Sequence, residues 1–285
     1  MRVATFNILH GQPVSGPASL AAANSADPYR AGSSDGAELV AAITELDSDV
    51  IGLQEVDVDQ PRSGHVDQPR LVADALGASW RQFVPTVIGT PGGSRGFRSS
   101  DIEERAEAVD GASSDARYGI ALVSKLPVVQ WHTEVFAPAR VSLPLMVQTE
   151  GKPRLVRVRD EQRAVIAATI EGAHGQITVA TAHLSFVPGF NVSQLRRVRS
   201  WLTGLPRPLV LMGDFNLPWP MPIRITKWEP LAHAPTFPSY KPRVQLDHIL
   251  VDGAPADVVE RARKSAQALR LPVSDHCALR AEIDI

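Results

Sequence analysis

The residues of this 285-residue chain that could do chemistry stand at or just beyond the ends of its apolar runs. They are Asn7, Glu55, His183, Asp214, Asn216, Asp247, Asp275 and His276. A single Asp or Asn at the end of a strand is more often a turn former than a ligand. Burying polar groups at many strand ends is costly, however, unless the groups are paired or bind something. We therefore interpret the set as one site lined by strand ends.

Two carboxylates and an amide in this set have the composition of a magnesium site. Mg²⁺ takes oxygen ligands in an octahedron and keeps several waters, so one or two carboxylates and an amide oxygen suffice. We predict that Glu55, Asn7 and Asp275 hold Mg²⁺ or Mn²⁺. An ion in this place would polarise a phosphoryl group and neutralise the charge that develops on it. The predicted chemistry is therefore hydrolysis of a phosphate ester by water.

The other residues of the set supply the groups that this hydrolysis needs besides the metal. Asp214 can orient or deprotonate the attacking water, and the amide of Asn216 can fix water or phosphate. His183 and His276 can donate hydrogen bonds or protons to phosphoryl oxygens. A carboxylate beside an imidazole, as we expect for Asp247 and His276, holds the tautomer of the ring and raises its pKa.

Composition limits the classes of protein that can carry such a site. The chain is 44% hydrophobic and 21% charged, which is typical of a globular protein with enough apolar residues for a core. No apolar run approaches the length of a membrane span, and the N-terminus lacks a secretory pattern. We therefore expect a cytoplasmic protein without a transmembrane segment. The single cysteine, Cys277, excludes an intramolecular disulfide and a cysteine-based metal cluster.

Short apolar runs alternate with helical patterns along the chain, which predicts a layered α/β protein. Strands are predicted at 3–8, 49–56, 81–87, 118–124, 127–136, 163–171, 176–184, 209–212, 244–251 and 277–285. Helices are predicted at 37–47, 66–78 and 191–203, the last burying Leu195, Val198, Trp201 and Leu202. Loops are expected at 12–36 and 217–243, and a mobile flap at 88–117 whose Arg95 and Arg98 could clamp an anion. We expect one domain over residues 1–285.

Seven segments, in this order, resemble the endonuclease/exonuclease/phosphatase superfamily. They are Thr5-Phe6-Asn7, Leu53-Gln54-Glu55, Tyr118-Gly119, Ala182-His183-Leu184, Gly213-Asp214-Phe215-Asn216, Leu246-Asp247-His248 and Ser274-Asp275-His276. Gly-Asp-Phe-Asn alone is a moderately specific signal, whereas the ordered set is highly specific. The superfamily includes deoxyribonucleases, abasic-site endonucleases, inositol-polyphosphate phosphatases and neutral sphingomyelinases.

The resemblance implies a role for each matching position. Asn7 and Glu55 match the metal-binding Asn and Glu of the superfamily, and Asp214 and Asn216 match its Asp-x-Asn pair. Asp247 matches the Asp said to orient the catalytic histidine. The implied fold is a four-layer α/β/β/α sandwich, in which two mixed β-sheets pack face to face with helices outside and the active site lies at one edge.

Two positions, His183 and His248, bear on the branch of the superfamily, and the terminal pair of the family matches as well. Asp275 and His276 match its terminal Asp-His. Abasic endonucleases usually carry Asn where this chain has His183, whereas the deoxyribonuclease and sphingomyelinase branches carry His. His248 stands where the repair enzymes commonly have an aromatic residue. These departures make a DNA-repair role less favoured.

We predict a phosphodiesterase that acts on a small-molecule or lipid-like phosphodiester. The net charge of −2 makes nucleic acid a possible but not a favoured partner, since proteins that bind long nucleic acids usually carry a basic face. The alternatives are a non-specific Mg²⁺-dependent nuclease and an inert phospho-ligand-binding protein on the same fold. A basic groove beside His183 would favour the nuclease, whereas an apolar cleft lined by Trp219 and Trp228 would favour a lipid head group. Tyr118 and Arg163 stay open between a role in the site and a structural one.

Overall fold

The computed structural model describes residues 1–17, 19, 36–90, 97–99, 115–149, 152–172 and 175–285. Most of the predicted flap at 88–117, including Arg95, lies outside these ranges, and so does most of the predicted loop at 12–36. Arg98 falls in a short described strand, but the prediction that the segment acts as a flap stays a prediction.

The described strands and helices follow one another in an α/β order. The strands are β1 (Arg2–Asn7), β2 (Val50–Val58), β3 (Trp80–Gly89), β4 (Phe97–Ser99), β5 (Arg117–Ser124), β6 (Val128–Phe136), β7 (Ser142–Thr149), β8 (Lys152–Arg159), β9 (Arg163–Gly172), β10 (Gly175–His183), β11 (Leu209–Asp214), β12 (Glu229–Pro230), β13 (Asp247–Asp252), β14 (Gln267–Leu269) and β15 (Ala278–Glu282). The helices are α1 (Ala37–Leu46), α2 (Gln68–Leu76), α3 (Phe190–Leu202), α4 (Met221–Thr226) and α5 (Ala256–Ser265).

Two mixed sheets contain most of these strands. Within the described residues the first sheet has the order β14-β15-β1-β2-β5-β3-β4, and the second the order β12-β13-β11-β10-β9-β6. Each sheet has one parallel pair, β1 with β2 and β10 with β11, and its other assigned pairs are antiparallel. Strands β7 and β8 form a separate two-stranded hairpin. The carboxyl ends of the two parallel pairs are the places where ligand sites form in sheets of this kind.

Buried side chains show how the layers stack. Ile120 and Leu122 of the first sheet pack in one apolar cluster with Ile166 and Val179 of the second. The outer face of the first sheet packs with α1 and α2, and that of the second with α3 and α4. The predicted four-layer α/β/β/α sandwich is therefore confirmed. Val258, Val259 and Ala262 of α5 join the cluster between the sheets instead of an outer layer.

Several predicted details are wrong. The segment 217–243, predicted to be a loop throughout, contains α4 and β12. Trp201, predicted to be buried, is only partly buried. Strand β13 begins at Asp247, and Val244 before it is exposed. Helix α5, the hairpin β7–β8 and the short strands β4 and β14 were not predicted.

No helix among the described residues is long and apolar enough to span a membrane. The single domain and the cytoplasmic location stay predictions.

The two sheets approach closely where Gly52 of β2 faces Thr181 of β10. A Cβ atom placed on Gly52 would lie 2.3 Å from Thr181 Oγ1 and 2.5 Å from Thr181 Cβ. Two residues further along β2, Gln54 Nε2 donates to Thr181 Oγ1 at 2.9 Å, which joins the sheets by a hydrogen bond. A side chain at position 52 would therefore push the sheets apart two residues before Gln54.

We expect Gly52→Ala to lower the free energy of unfolding by about 1–3 kcal/mol, the usual cost of overpacking a filled interior. Urea denaturation measures this change. Gly204→Ala is the matched control, because a Cβ at Gly204 would meet no heavy atom within 4 Å. A Gly52→Ala protein as stable as the Gly204→Ala protein would show that the sheets are not held at this spacing.

Candidate active site

The register of the second sheet places three predicted site residues side by side. His183, the last residue of β10, is paired with Asp214, the last residue of β11. Asp214 is paired in turn with Asp247, the first residue of the antiparallel strand β13. All three side chains are buried, with Asp247 wholly inaccessible. The order of strands in this sheet therefore creates a row of polar groups at one edge.

The first sheet brings Asn7 and Glu55 to the same edge. Asn7 ends β1 and is paired with Gln54, the residue before Glu55 in β2. Asn7 Nδ2 donates to Glu55 Oε1 at 2.9 Å and to Asp214 Oδ2 at 3.1 Å. The second of these hydrogen bonds crosses from one sheet to the other. The predicted residues of the two sheets therefore meet in one place.

Three site positions have a left-handed backbone that residues with a side chain rarely adopt. Glu55 has a φ of 58° within a break in the register between Leu53 and Val56, and Asn216 and Ser274 have φ values of 49° and 79°. Such residues cost on the order of 1 kcal/mol or more and persist where surrounding contacts impose them. A β-bulge of this kind redirects the side chain of its strand. Local strain therefore aims the groups of the site.

Hydrogen bonds hold the two strained turns in place. Ser274 Oγ donates to Asn7 O at 2.6 Å and accepts from the backbone of His276 at 3.0 Å, which fixes the approach to the last strand. Asn216 N donates to Asp214 Oδ1 at 2.9 Å, and Asn216 Nδ2 donates to Leu184 O at 3.0 Å. The amide nitrogen of Asn216 is thus directed at the protein backbone.

Asp214 lies at the centre of the group. Its Oδ2 is 3.1 Å from Asn7 Nδ2, 3.7 Å from His183 Nε2 and 3.9 Å from His276 Nε2. Burial raises the pKa of Asp214 to about 6. The charge of His276 and the hydrogen bonds from Asn216 and Asn7 lower this pKa and so limit the rise. A carboxyl group with this pKa can hold or release a proton near neutral pH.

His276 and Asp247 form a closely paired histidine and carboxylate. His276 Nδ1 is 2.8 Å from Asp247 Oδ2, and Asp247 Oδ1 has no hydrogen-bond partner among the described residues. Burial opposes a charge on His276, but Asp247, followed by Asp214 and Asp275, raises its pKa well above the usual 6.5. His276 is therefore an imidazolium near neutral pH, with Nε2 facing Asp214.

His183 has the opposite charge state. Burial, and after it the positive charges of Arg163 and His276, lower its pKa well below 6.5. Arg163 Nη1 lies 3.2 Å from each ring nitrogen of His183. The site therefore contains one cationic and one neutral histidine on either side of Asp214.

Glu55 and Asp275 are the more accessible carboxylates. Each is partly exposed. Desolvation nevertheless raises the pKa of Glu55, and it raises the pKa of Asp275 to about 6 with a contribution from the charge of Glu55. Asn7 contacts Glu55 through its side-chain nitrogen, because Asn7 Oδ1 accepts from Leu9 N at 3.1 Å. For Asn7 to offer its oxygen to a metal, the amide would have to rotate.

Two groups of residues could bind a cation here. Asp214, Asp247 and His276 offer ligand atoms within 4.8 Å of one another. His276 is protonated, however, and its Nδ1 is occupied by Asp247, so this cluster is better suited to proton handling. Glu55 and Asp275 offer carboxylate oxygens in a desolvated, negatively charged place, which is what a hard divalent cation requires. The predicted set of Asn7, Glu55 and Asp275 therefore fits a metal by its chemistry.

Other residues considered from sequence have structural surroundings. Trp228 is buried in the apolar cluster of the second sheet, so it does not line a cleft. Trp219 is partly exposed and stacks on His233, with ring centroids 4.1 Å apart. Tyr118 is 7% exposed and lies under the guanidinium of Arg62, 5.5 Å from the ring centroid.

A buried ion pair beside the site was not predicted from the sequence. Arg62 donates two hydrogen bonds to Asp57, from Nε to Oδ2 at 2.9 Å and from Nη2 to Oδ1 at 2.8 Å. Asp57 is wholly buried, and Arg62 also acts electrostatically on Glu55 and Tyr118. The available signal was a second acidic residue, Asp57, two residues after Glu55 in a strand that is mostly apolar.

Comparison with known proteins agrees with this architecture. The sequence profile of the Endonuclease/Exonuclease/phosphatase family matches residues 4–276. An endonuclease/exonuclease/phosphatase from Beutenbergia cavernae aligns over 100% of this chain and 71% of its own, with 19% identity and a TM-score of 0.56. Comparison with curated proteins gave no significant match.

Two further solved structures share the fold. Mannosyl-6-phosphatase from Bacteroides thetaiotaomicron aligns over 100% of both chains, with 13% identity and a TM-score of 0.53. Beta toxin from Staphylococcus aureus, solved with bound magnesium ions, aligns over 99% of both chains, with 12% identity and a TM-score of 0.55. The family match shows that this chain belongs to the endonuclease/exonuclease/phosphatase family, whose members are metal-dependent phosphoesterases.

His248 packs behind the site and is buried. It stacks on Phe215 with ring centroids 5.4 Å apart, and its Nε2 is 2.8 Å from Leu217 O. Burial lowers the pKa of His248 from 6.5 to about 4. Because the folded protein binds this proton less readily than the unfolded chain does, His248 destabilises the fold as the pH falls below 6.5.

We expect this histidine to cost up to about 3 kcal/mol of stability between pH 6.5 and pH 4, at 1.36 kcal/mol for each unit of pKa difference. His248→Gln keeps a donor for Leu217 O and removes the titration. Urea denaturation of both proteins across this range measures the difference. The stability of the variant should fall less steeply with decreasing pH, and parallel curves would contradict the role assigned to His248.

Proposed function

We propose that this protein is a divalent-metal-dependent phosphoesterase that hydrolyses a phosphodiester of a small or lipid-like molecule. The observation that carries the proposal is the gathering of the Glu55, Asp214 and Asp275 carboxylates at one edge, where desolvation raises the pKa of each. Acids are brought together in this way at a cost in stability, and a cation offsets that cost. Membership of a family of metal-dependent phosphoesterases supports the same reaction.

Mg²⁺ or Mn²⁺ is the proposed cofactor. Glu55 and Asp275 would hold it by charged oxygens, and Asn7 by its amide oxygen after rotation of the amide. Bound there, the ion supplies positive charge to the phosphoryl oxygens. The beta toxin that shares this fold contains magnesium.

Asp214 is the proposed group that accepts the proton of the attacking water. Its Oδ1 is held by Asn216 N at 2.9 Å, so Oδ2 is turned towards the two histidines. As the water oxygen bonds to phosphorus, one proton of the water passes to Asp214. The bond from phosphorus to the leaving oxygen breaks, and that oxygen takes a proton in its turn. Asn216 contributes here by positioning Asp214.

His276 is the proposed source of the second proton or of a charged hydrogen bond to the phosphoryl group. The Asp247 carboxylate 2.8 Å from Nδ1 keeps the ring oriented and charged. Nε2 then carries a proton on the side of Asp214, where negative charge develops during the reaction. An oriented donor of this kind stabilises the transition state more than the bound substrate.

A small or lipid-like diester is favoured over a polynucleotide for two reasons. The chain has a net charge of −2, and two arginines beside the carboxylates in the described part of the chain, Arg163 and Arg62, are largely buried and do not lie along an exposed face. The buried position of Trp228 gives no support to an apolar wall for a lipid tail. One protein of the same fold is a mannosyl-6-phosphatase, so a monoester belongs among the test substrates.

We expect the chelator-treated protein to be inactive and to regain activity with Mg²⁺ or Mn²⁺. The test substrates are bis-p-nitrophenyl phosphate, p-nitrophenyl phosphate, phospholipid vesicles and plasmid DNA. Hydrolysis of a small diester or a phospholipid supports the proposal, whereas faster cleavage of plasmid DNA favours a nuclease. Hydrolysis that survives chelation would rule out the metal.

Glu55→Gln tests the metal site in the same preparation. Because a neutral amide replaces a charged ligand, we expect the affinity for Mn²⁺, measured by calorimetry, to fall at least about tenfold. Glu45→Gln makes the same substitution at an exposed position of α1 and should leave the affinity unchanged. Equal affinities in the two variants would place the metal elsewhere.

We expect His276→Ala to lower kcat by about 10²–10³ with little change in KM, the usual cost of one oriented donor. Asp247→Asn should give a related loss, because it removes the charge that holds the ring and keeps the shape. The double variant should lose much less than the product of the single losses, since the two residues act as a unit. Losses that multiply would show that Asp247 does not act through His276.

A further inference from the structure

We propose that Arg163 is a positioning residue, which holds His183 as a neutral imidazole with its proton on Nε2, the nitrogen that faces Asp214. The use of that proton as a donor to a phosphoryl oxygen rests on the proposed function. The state of the ring itself follows from the contacts of this chain and is measurable without any substrate.

The position of Arg163 follows from the register of the second sheet. Ala164 of β9 is paired with His183 of β10, so Arg163 is the diagonal neighbour of His183 at the edge of the sheet. Arg163 Nη1 lies 3.2 Å from His183 Nδ1 and 3.2 Å from His183 Nε2. A guanidinium is always protonated and can only donate. Because Nη1 is equally far from both ring nitrogens, this contact opposes a second proton on the ring but does not by itself select the nitrogen that carries the one proton.

The carboxylate of Asp214 decides which nitrogen accepts. His183 Nε2 is 3.7 Å from Asp214 Oδ2, on the side of the other site residues. If Nε2 had no proton, its lone pair would face the negatively charged oxygen of Asp214, and the two would repel each other. The proton would then be on Nδ1, beside a guanidinium that cannot accept it, and would need another acceptor. With Nδ1 accepting from Arg163, both contacts are attractive. The separation of 3.7 Å is longer than a hydrogen bond, so the Nε2 proton keeps its capacity to donate.

The guanidinium has support that fixes its direction. Arg163 is 5% exposed and its Cζ lies 5.8 Å from the centre of the Phe186 ring. Its Nη2 is 3.4 Å from Asp160 Oδ1. Asp160 Oδ2 is itself held by Ala139 N and Ser185 Oγ, each at 2.8 Å. The carboxylate that orients Arg163 is thus anchored to the backbone of a neighbouring segment.

A simple structural ion pair does not account for these contacts. The distance of 3.4 Å to Asp160 is long for a charged pair, and Arg163 Nε has no hydrogen-bond partner among the described residues although it is buried. Burying a guanidinium with an unused donor costs stability. The charge of Arg163 is compensated electrostatically by Glu161 first, then by Tyr118, Asp160 and Glu55, so Asp160 alone does not set its position, and Nη1 is left to contact His183. This arrangement gives the two histidines different tasks, His276 as a cation and His183 as a neutral donor.

Nitrogen-15 NMR of histidine-labelled, metal-free protein at pH 7 tests the proposal directly. The His183 signals, assigned by their loss in His183→Asn, should show a protonated Nε2 and a bare Nδ1. Arg163→Lys should keep this pattern because lysine also donates, and Arg163→Met should lose it. Arg197→Met, which removes an exposed arginine of α3, is the matched control and should change nothing. A protonated Nδ1 or a doubly protonated ring in the unaltered protein would overturn the proposal, whether or not the variants fold.

Kinetics separates positioning from direct contact with the substrate. On whichever ester proves active, Arg163→Met should lower kcat at least about tenfold with little change in KM, as expected for loss of a residue that orients a functional side chain. Arg163→Lys should restore most of the rate. A rise in KM with unchanged kcat would mean that Arg163 binds the substrate itself and would overturn the positioning role. If no ester is hydrolysed, the proposed function fails and the NMR result still decides the state of His183.

Discussion

The hydrogen bond from Asn7 Nδ2 to Asp214 Oδ2, 3.1 Å long, is the contact on which the arrangement of the site depends. It joins the carboxyl end of β1 in one sheet to that of β11 in the other. Each partner is held from its own side, Asn7 through Leu9 N and Asp214 through Asn216 N. The contact can form only because the sheets approach closely, and the absence of a side chain at Gly52 permits that approach. The packing of the core thereby sets the distances between catalytic groups.

The positions of the charged side chains in the site decide how far their charges compensate one another. Burial raises the pKa of Glu55, Asp214 and Asp275, so the folded chain pays for keeping these acids together. The cationic His276 lowers the pKa of all three and offsets part of that cost. Desolvation still keeps the pKa of Glu55 and Asp275 raised, and a divalent cation beside these two carboxylates would complete the balance. In the proposed function, Glu55 and Asp275 hold the metal, and Asp214 and Asp247 serve proton transfer.

The sequence predicted the layers and the strand ends because both depend on local patterns. Alternation of apolar runs with helical periodicity gave the α/β class, and the ordered segments gave the superfamily, which the family profile confirms. Helix α5 was missed because its apolar residues, Val258, Val259 and Ala262, form a narrow stripe in a charged segment. The meeting of Arg62 with Asp57 depends on a turn after β2, and that of Arg163 with His183 on strand pairing. The spacing of these residues along the chain does not predict either contact.

The strained backbone at Glu55, Asn216 and Ser274 explains why these positions differ from the rest of their strands. In a regular strand, side chains alternate between faces, so Glu55 would face either the apolar core or the helical layer. The bulge interrupts this alternation and directs the carboxylate of Glu55 along the edge of the sheet, towards Asn7. The strained backbone at Ser274 serves the same end, since its hydroxyl donates to Asn7 O and so ties the turn before the last strand to the site. At Glu55, Asn216 and Ser274, an unfavourable backbone conformation is therefore held by the hydrogen bonds that position polar groups of the site.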